Sequence, residues 1–227
     1  MHEYLLYAQV PVVRGRQVLN ILAGVTASQP VPIREEHVVL AELKPEPAVV
    51  KKTKQQQEKQ IPSYRRLVRN VATNPDGSLN PIPWRLRAEQ TPDPGMPNFI
   101  SRQVTQRDVD SAELEKSQEL YRFKSNYTLL GHRFVYGNVI VRIVRIHIPV
   151  DNTKEIDIFS SDDQDLRLLD PSGNWLVEAI TRVEDPSNSE LTDKAKKDLL
   201  AFQTLVEGAV DIYTPDRFAL DTRIRNV

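Results

Sequence analysis

Four histidines and no cysteine restrict the metal and nucleophile chemistry open to this sequence of 227 residues. His2, His37, His132 and His147 are scattered, and no two have the i, i+4 spacing that sets paired ligands on one helix face. Without thiolates there is no zinc ribbon, iron–sulfur cluster, disulfide or cysteine nucleophile. The acidic run Asp157, Asp162, Asp163 and Asp165 lacks the turn glycine and closing glutamate of a calcium loop, so it reads as a solvated segment. GxSxG, GxGxxG and GxxxxGK[ST] are all absent, which removes elbow serine hydrolases and the common phosphate-cradling loops. The expectation is a chain with no catalytic residue, no metal ligand and no cofactor.

Two charge patterns need separate tests. Arg65, Arg66, Arg69, Arg85 and Arg87 gather on a proline-bounded hairpin, where they could meet nucleic acid or an acidic protein. No aromatic residues interleave them as a stacking platform would need, so a solvated strand face is the plainer reading. The second pattern opens the chain. A metal-dependent triphosphatase built in an antiparallel tunnel places three inward charges on alternate positions of its first strand. Here Glu3 is followed by Leu5 and Tyr7, and one carboxylate cannot fix the ions such chemistry needs.

With 40% apolar and 27% charged residues, the composition suits one domain over residues 1–227. A net charge of −1 argues against bulk electrostatic binding of nucleic acid. The longest apolar run, Tyr4 to Ala8, falls far short of the about 20 residues a membrane helix needs. With no signal-peptide pattern either, an intracellular soluble protein is expected.

Proline and glycine divide the chain into elements. Seven prolines lie between Pro62 and Pro97, which forbids a long helix there. Residues 44–60, with five lysines and four glutamines, offer too few apolar anchors to offset ordering entropy and are expected to form a disordered insertion. Strands are predicted over His2–Val10, Glu36–Leu43, Tyr64–Val71, Ile82–Gln90, Phe99–Asp108, Arg122–Ile148 and Trp175–Val183. Gly137-Asn138 breaks the long stretch into a hairpin. In Ile82–Gln90, Trp84, Leu86 and Ala88 alternate with Arg85, Arg87 and Glu89, giving one apolar and one wet face.

Val18, Ile21, Leu22 and Val25 predict a helix over Arg14–Ala27, and Asp110 caps a short helix ending near Tyr121. A capping box at Ser187 and Glu190 opens an amphipathic helix that stops before Gly208. Hairpin-related strands with about three helices predict an α+β, mainly β fold: a curled or closed antiparallel barrel with helices packed outside. Val139, Val141 and Ile143 on one side, and Ile140, Val144, Ile146 and Ile148 on the other, require cover on both faces of that strand.

Several stretches together resemble one family. HEYLLYAQV and the helix after it, PWRLR, YRFKSNYTLLGHRFVYGNVIVRIVRI and VDIYTPDRFALDTRIR occur in the order and spacing of Mediator of RNA polymerase II transcription subunit 18, in a fungal form. The resemblance spans most of the chain outside the lysine- and glutamine-rich insertion. It implies a barrel similar in shape to the triphosphate tunnel (CYTH-like) enzymes but without their activity. It also implies a nuclear place in the Mediator head module, pairing with Mediator subunit 20, holding a C-terminal helix of Mediator subunit 8 and acting on RNA polymerase II indirectly. On that reading Arg133, Phe134, Tyr136, Val139, Val141 and Ile143 of the long hairpin, with Tyr213 and Phe218 of the tail, are expected at partner surfaces. A tunnel triphosphatase and a basic-hairpin nucleic-acid binder stand as the alternatives.

Overall fold

The computed structural model describes residues 1–43, 63–73, 79–110, 112–114, 120–150 and 165–224. Its strands are β1 (His2–Val10), β2 (Val31–Glu42), β3 (Tyr64–Thr73), β4 (Leu79–Pro81), β5 (Arg85–Glu89), β6 (Ile100–Asp108), β7 (Tyr121–Tyr136), β8 (Val139–Pro149), β9 (Leu166–Leu168) and β10 (Trp175–Val183). Eight of them pair in the order β1-β6-β5-β3-β2-β7-β8-β10, and β10 returns to β1. All these pairings are antiparallel, and because the order is circular the sheet closes on itself, which removes the free edge strands of an open sheet. The expected closed antiparallel barrel is the observed one.

Local signals place the turns. Gly137, at φ +55°, sits in the two-residue connection where Tyr136 pairs with Val139. Gly131 serves a different purpose. A Cβ there would stand 2.1 Å from the Ile143 carbonyl oxygen, so only a bare backbone lets β7 and β8 approach this closely. Tyr64–Thr73 and Arg85–Glu89 pair as the predicted hairpin, although the Asp-Gly turn between them lies outside the described residues. So do the expected insertion at 44–60, the acidic segment 151–165 except Asp165, and much of the short helix after Asp110. The start of that helix is described, and the Asp110 carboxylate accepts from the Glu113 amide at 2.7 Å.

Two helices lie against the outside of the wall: α1 (Gly15–Thr26) and α2 (Ser189–Val206). The cap of α2 corrects the sequence reading. Asn188, not Ser187, accepts from the Leu191 amide at 3.2 Å. Ser187 is already committed to a turn, its hydroxyl bonding Asp185 at 2.5 Å. Ala195, Leu199, Phe202 and Val206 of α2 pack with Val18 and Leu22 of α1 on the outward residues of β1, β7, β8 and β10. A second outer cluster joins Val38, Leu40, Leu67 and Trp84 to Val109, Leu114 and Tyr121.

This places the apolar face of the wall outward, beneath its own helices. The wet face of the β5 alternation, expected toward solvent, instead faces the lumen: Arg85, Arg87 and Glu89 point in while Trp84 and Leu86 pack outside. Period-two alternation sorts the two sets of side chains, and helix cover then decides which set forms the core.

Candidate functional site

The barrel encloses a cavity of about 770 Å³ lined by alternate residues of its strands. β1 supplies Glu3, Leu5 and Tyr7 to the wall, as its spacing predicted. The expectation of an acid-poor lumen is corrected by the other strands. Glu35 of β2, Glu89 of β5 and Glu178 of β10 also face inward. These acids went unread because they stand singly on separate strands, and only closure of the barrel gathers them. The one signal in the sequence is charge at alternate positions, as in Arg85-x-Arg87-x-Glu89.

Among the described residues every inward glutamate is held by arginine. Glu3, fully buried, accepts from Arg87 at 2.5 Å, Arg182 at 3.0 Å and Arg102 at 3.5 Å. Glu89 accepts from Arg87 at 2.7 Å and Arg102 at 2.8 Å, and Arg66 pairs with it as well. Arg142 bridges Glu35, at 3.0 Å, to Glu178. His37 completes this second group, 2.8 Å from Glu35 and stacked on Tyr127 with ring centroids 4.5 Å apart.

The protonation states follow from this pairing. Burial alone would raise the Glu89 pKa, but the guanidiniums of Arg66, Arg102 and Arg87 outweigh it and hold the group at about 2. Glu35 also sits at about 2, because burial is overcome by the His37 hydrogen bond and the Arg142 charge. Glu3 is lowered against its burial by Arg87, Arg102 and Arg182. Burial lowers His37 despite its bond to Glu35, and it raises the Tyr7 hydroxyl, with Glu178 adding to that rise. A general acid at neutral pH needs a carboxyl pKa pushed up, whereas these are pushed down. Among the described residues no three His, Asp or Glu side chains are grouped as metal ligands.

The arginines of the predicted basic hairpin do not form a surface patch. Arg66 and Arg87 point into the lumen, Arg69 pairs with Glu36 at 2.8 Å, and Arg65 lies 3.6 Å from Glu42. The four histidines are also apart. His2 bonds Ser101 at 2.8 Å and Asp93 at 3.1 Å, far from the Glu35–His37 pair in the chain and in its partners.

The residues expected at partner surfaces separate into two groups. Phe134, Val139, Val141 and Ile143 are at most 1% exposed in the core beneath α1 and α2. The cover that this apolar strand requires comes from the chain's own helices, so these four side chains lie in the interior. Arg133 reaches solvent at the cavity rim, and Tyr136 is partly exposed, its ring 5.7 Å from Phe202. Tyr213 and Phe218 are about half exposed on the tail.

That tail crosses one end of the barrel. Tyr213 exchanges backbone hydrogen bonds with Tyr7, and the Tyr64 amide donates to the Thr222 carbonyl at 2.8 Å. Between these two attachments, Leu220 packs on Leu5, Ile100 and Ile180.

Comparison with known proteins agrees with this architecture. A subunit 18 of Mediator of RNA polymerase II transcription from Yarrowia lipolytica is 29% identical, over 99% of this chain and 100% of its own length. Its counterpart from Coccidioides immitis is 24% identical over the same shares. A chain in the solved Schizosaccharomyces pombe Mediator head module superposes with a TM-score of 0.73 at 21% identity, covering 95% of this chain and 99% of that one. The family model described as Med18 protein matches residues 2–223, and the chain belongs to that family.

Proposed function

We propose that this chain is a non-catalytic subunit of the Mediator head module that works by presenting rigid surfaces to its neighbours in the nucleus. The family match over residues 2–223 carries the reading. The lumen supports it, because carboxylates locked to arginine are poorly suited to acid–base work or to holding ions. The tunnel triphosphatase is therefore not favoured, and neither is the basic-hairpin nucleic-acid binder, whose arginines are turned inward or paired.

The partners that fit the family resemblance are Mediator subunit 20 and a C-terminal helix of Mediator subunit 8, with RNA polymerase II engaged indirectly. We assign the contact surface to Arg133, Tyr136, Tyr213 and Phe218, the members of the expected set that solvent reaches. Half-exposed aromatic side chains are the type that anchors interfaces, because they bury much area at little entropic cost. The test is co-retention from nuclear extract of the full chain bearing Tyr213→Ala and Phe218→Ala. Loss of subunits 8 and 20 with an unchanged unfolding transition supports the surface assignment, and full retention refutes it.

A further inference from the structure

Among the described residues the lumen holds more positive than negative charge, and the ion pairs do not cancel it. Among the described residues, Arg66, Arg85, Arg87, Arg102, Arg142 and Arg182 line the cavity against four glutamates, an excess of two positive charges, and the exposed Arg133 and Lys124 add two more at the rim. Arg85 stands apart from the paired networks. With the Gln106 and Asn70 amides turned to suit their neighbours, it donates to Gln106 at 3.0 and 3.1 Å and to Asn70 at 3.3 Å. Those partners are neutral, so its charge stays uncompensated, with no carboxylate among the described residues at ion-pair distance. Arg102 is 5% exposed, and its Nε–H has no acceptor.

Size and chemistry narrow the ligand. A cavity of about 770 Å³ has the dimensions of a small-molecule site, too small for a folded segment of a partner. Guanidinium forks grip pairs of oxygens, and a phosphate group brings between one and two negative charges at neutral pH. A single small molecule with two such groups would balance the excess charge, whereas a monocarboxylate would not. We propose that the lumen binds a small multivalent phosphate compound, held by arginine without a metal ion and without turnover. Arg85 and Arg182 are the principal contacts. Arg85 is free of carboxylates, and Arg182 is the most solvent-accessible of the arginines around Glu3.

Calorimetric titration of the full chain with sodium pyrophosphate in excess EDTA tests this. The expected result is saturable binding of one equivalent, weakened about tenfold by Arg85→Gln and by Arg182→Gln. Neither change strips a glutamate of all its partners, since Glu3 keeps Arg87 and Arg102. Circular dichroism confirms that each variant is folded. Arg16→Gln, on the exposed face of α1, leaves binding unchanged, and acetate at equal ionic strength gives no saturable heat. Absence of saturable binding at millimolar pyrophosphate overturns the proposal. So does wild-type affinity in both lumen variants, or binding that is lost when metal is chelated.

Discussion

Replacing Glu89 by Gln removes the negative charge shared by three arginines while keeping the side chain's shape. The wild-type carboxylate takes Arg87 at 2.7 Å and Arg102 at 2.8 Å and pairs with Arg66. Hydrogen bonds to charged groups are worth about 1.5–3 kcal/mol each, so a simple sum would approach 7 kcal/mol. The loss is smaller because each arginine has a second partner. Arg87 and Arg102 keep Glu3, Arg66 keeps the Tyr127 hydroxyl at 2.8 Å, and the new amide oxygen can still accept one bond. Removing one member of a buried ionic network costs about 3–5 kcal/mol, and the expectation for Glu89→Gln lies in that range. Urea unfolding followed by circular dichroism should show a lower midpoint with an unchanged slope. In a domain of this size the thermal midpoint should fall by about 10 °C. A loss below about 1 kcal/mol would refute the reasoning, because the lumen carboxylate would then be dispensable to the fold.

Acid should act on the same groups. Glu35 and Glu89 have folded-state pKa values depressed from 4.5 to about 2, so their contribution is present above the unfolded value. It is lost as pH falls from about 4.5 to about 2, while His37, lowered from 6.5, begins the decline at higher pH; urea midpoints across this range check both. Gly131→Ala drives a methyl group into the Ile143 carbonyl and should cost about 3 kcal/mol, read from chemical denaturation. Phe202→Ala opens a cavity between α2 and the wall and should cost about 4 kcal/mol, with the Tyr136 ring losing its neighbour and its near-ultraviolet dichroism.

The sequence carried the barrel because its signals are local. Alternation in β5 and β8, the Gly137-Asn138 turn, and the four-residue steps from Leu191 through Ala195 to Leu199 each depend on near neighbours. Which side of the wall became the core could not be read that way. Leu86 and Arg87 alternate identically whether the helices lie outside a charged lumen or the apolar residues fill it. Only the placement of α1 and α2 over Val139, Val141 and Ile143 decides between them. The lumen networks were hidden for the same reason: Glu3 meets Arg87, Arg102 and Arg182 across sequence separations of 84, 99 and 179 residues, which no local spacing reveals. Ser187 shows the reverse case, where a correct local motif lost to a neighbouring turn that took the hydroxyl first.

The docking role is tested most directly by recovering the tagged full chain from nuclei at high salt and measuring the stoichiometry of what stays bound. Equimolar Mediator head subunits, with no phosphohydrolase activity in the recovered material, are the predicted result. A chain recovered alone, or one that hydrolyses triphosphate in a manner abolished by Glu89→Gln, would contradict it.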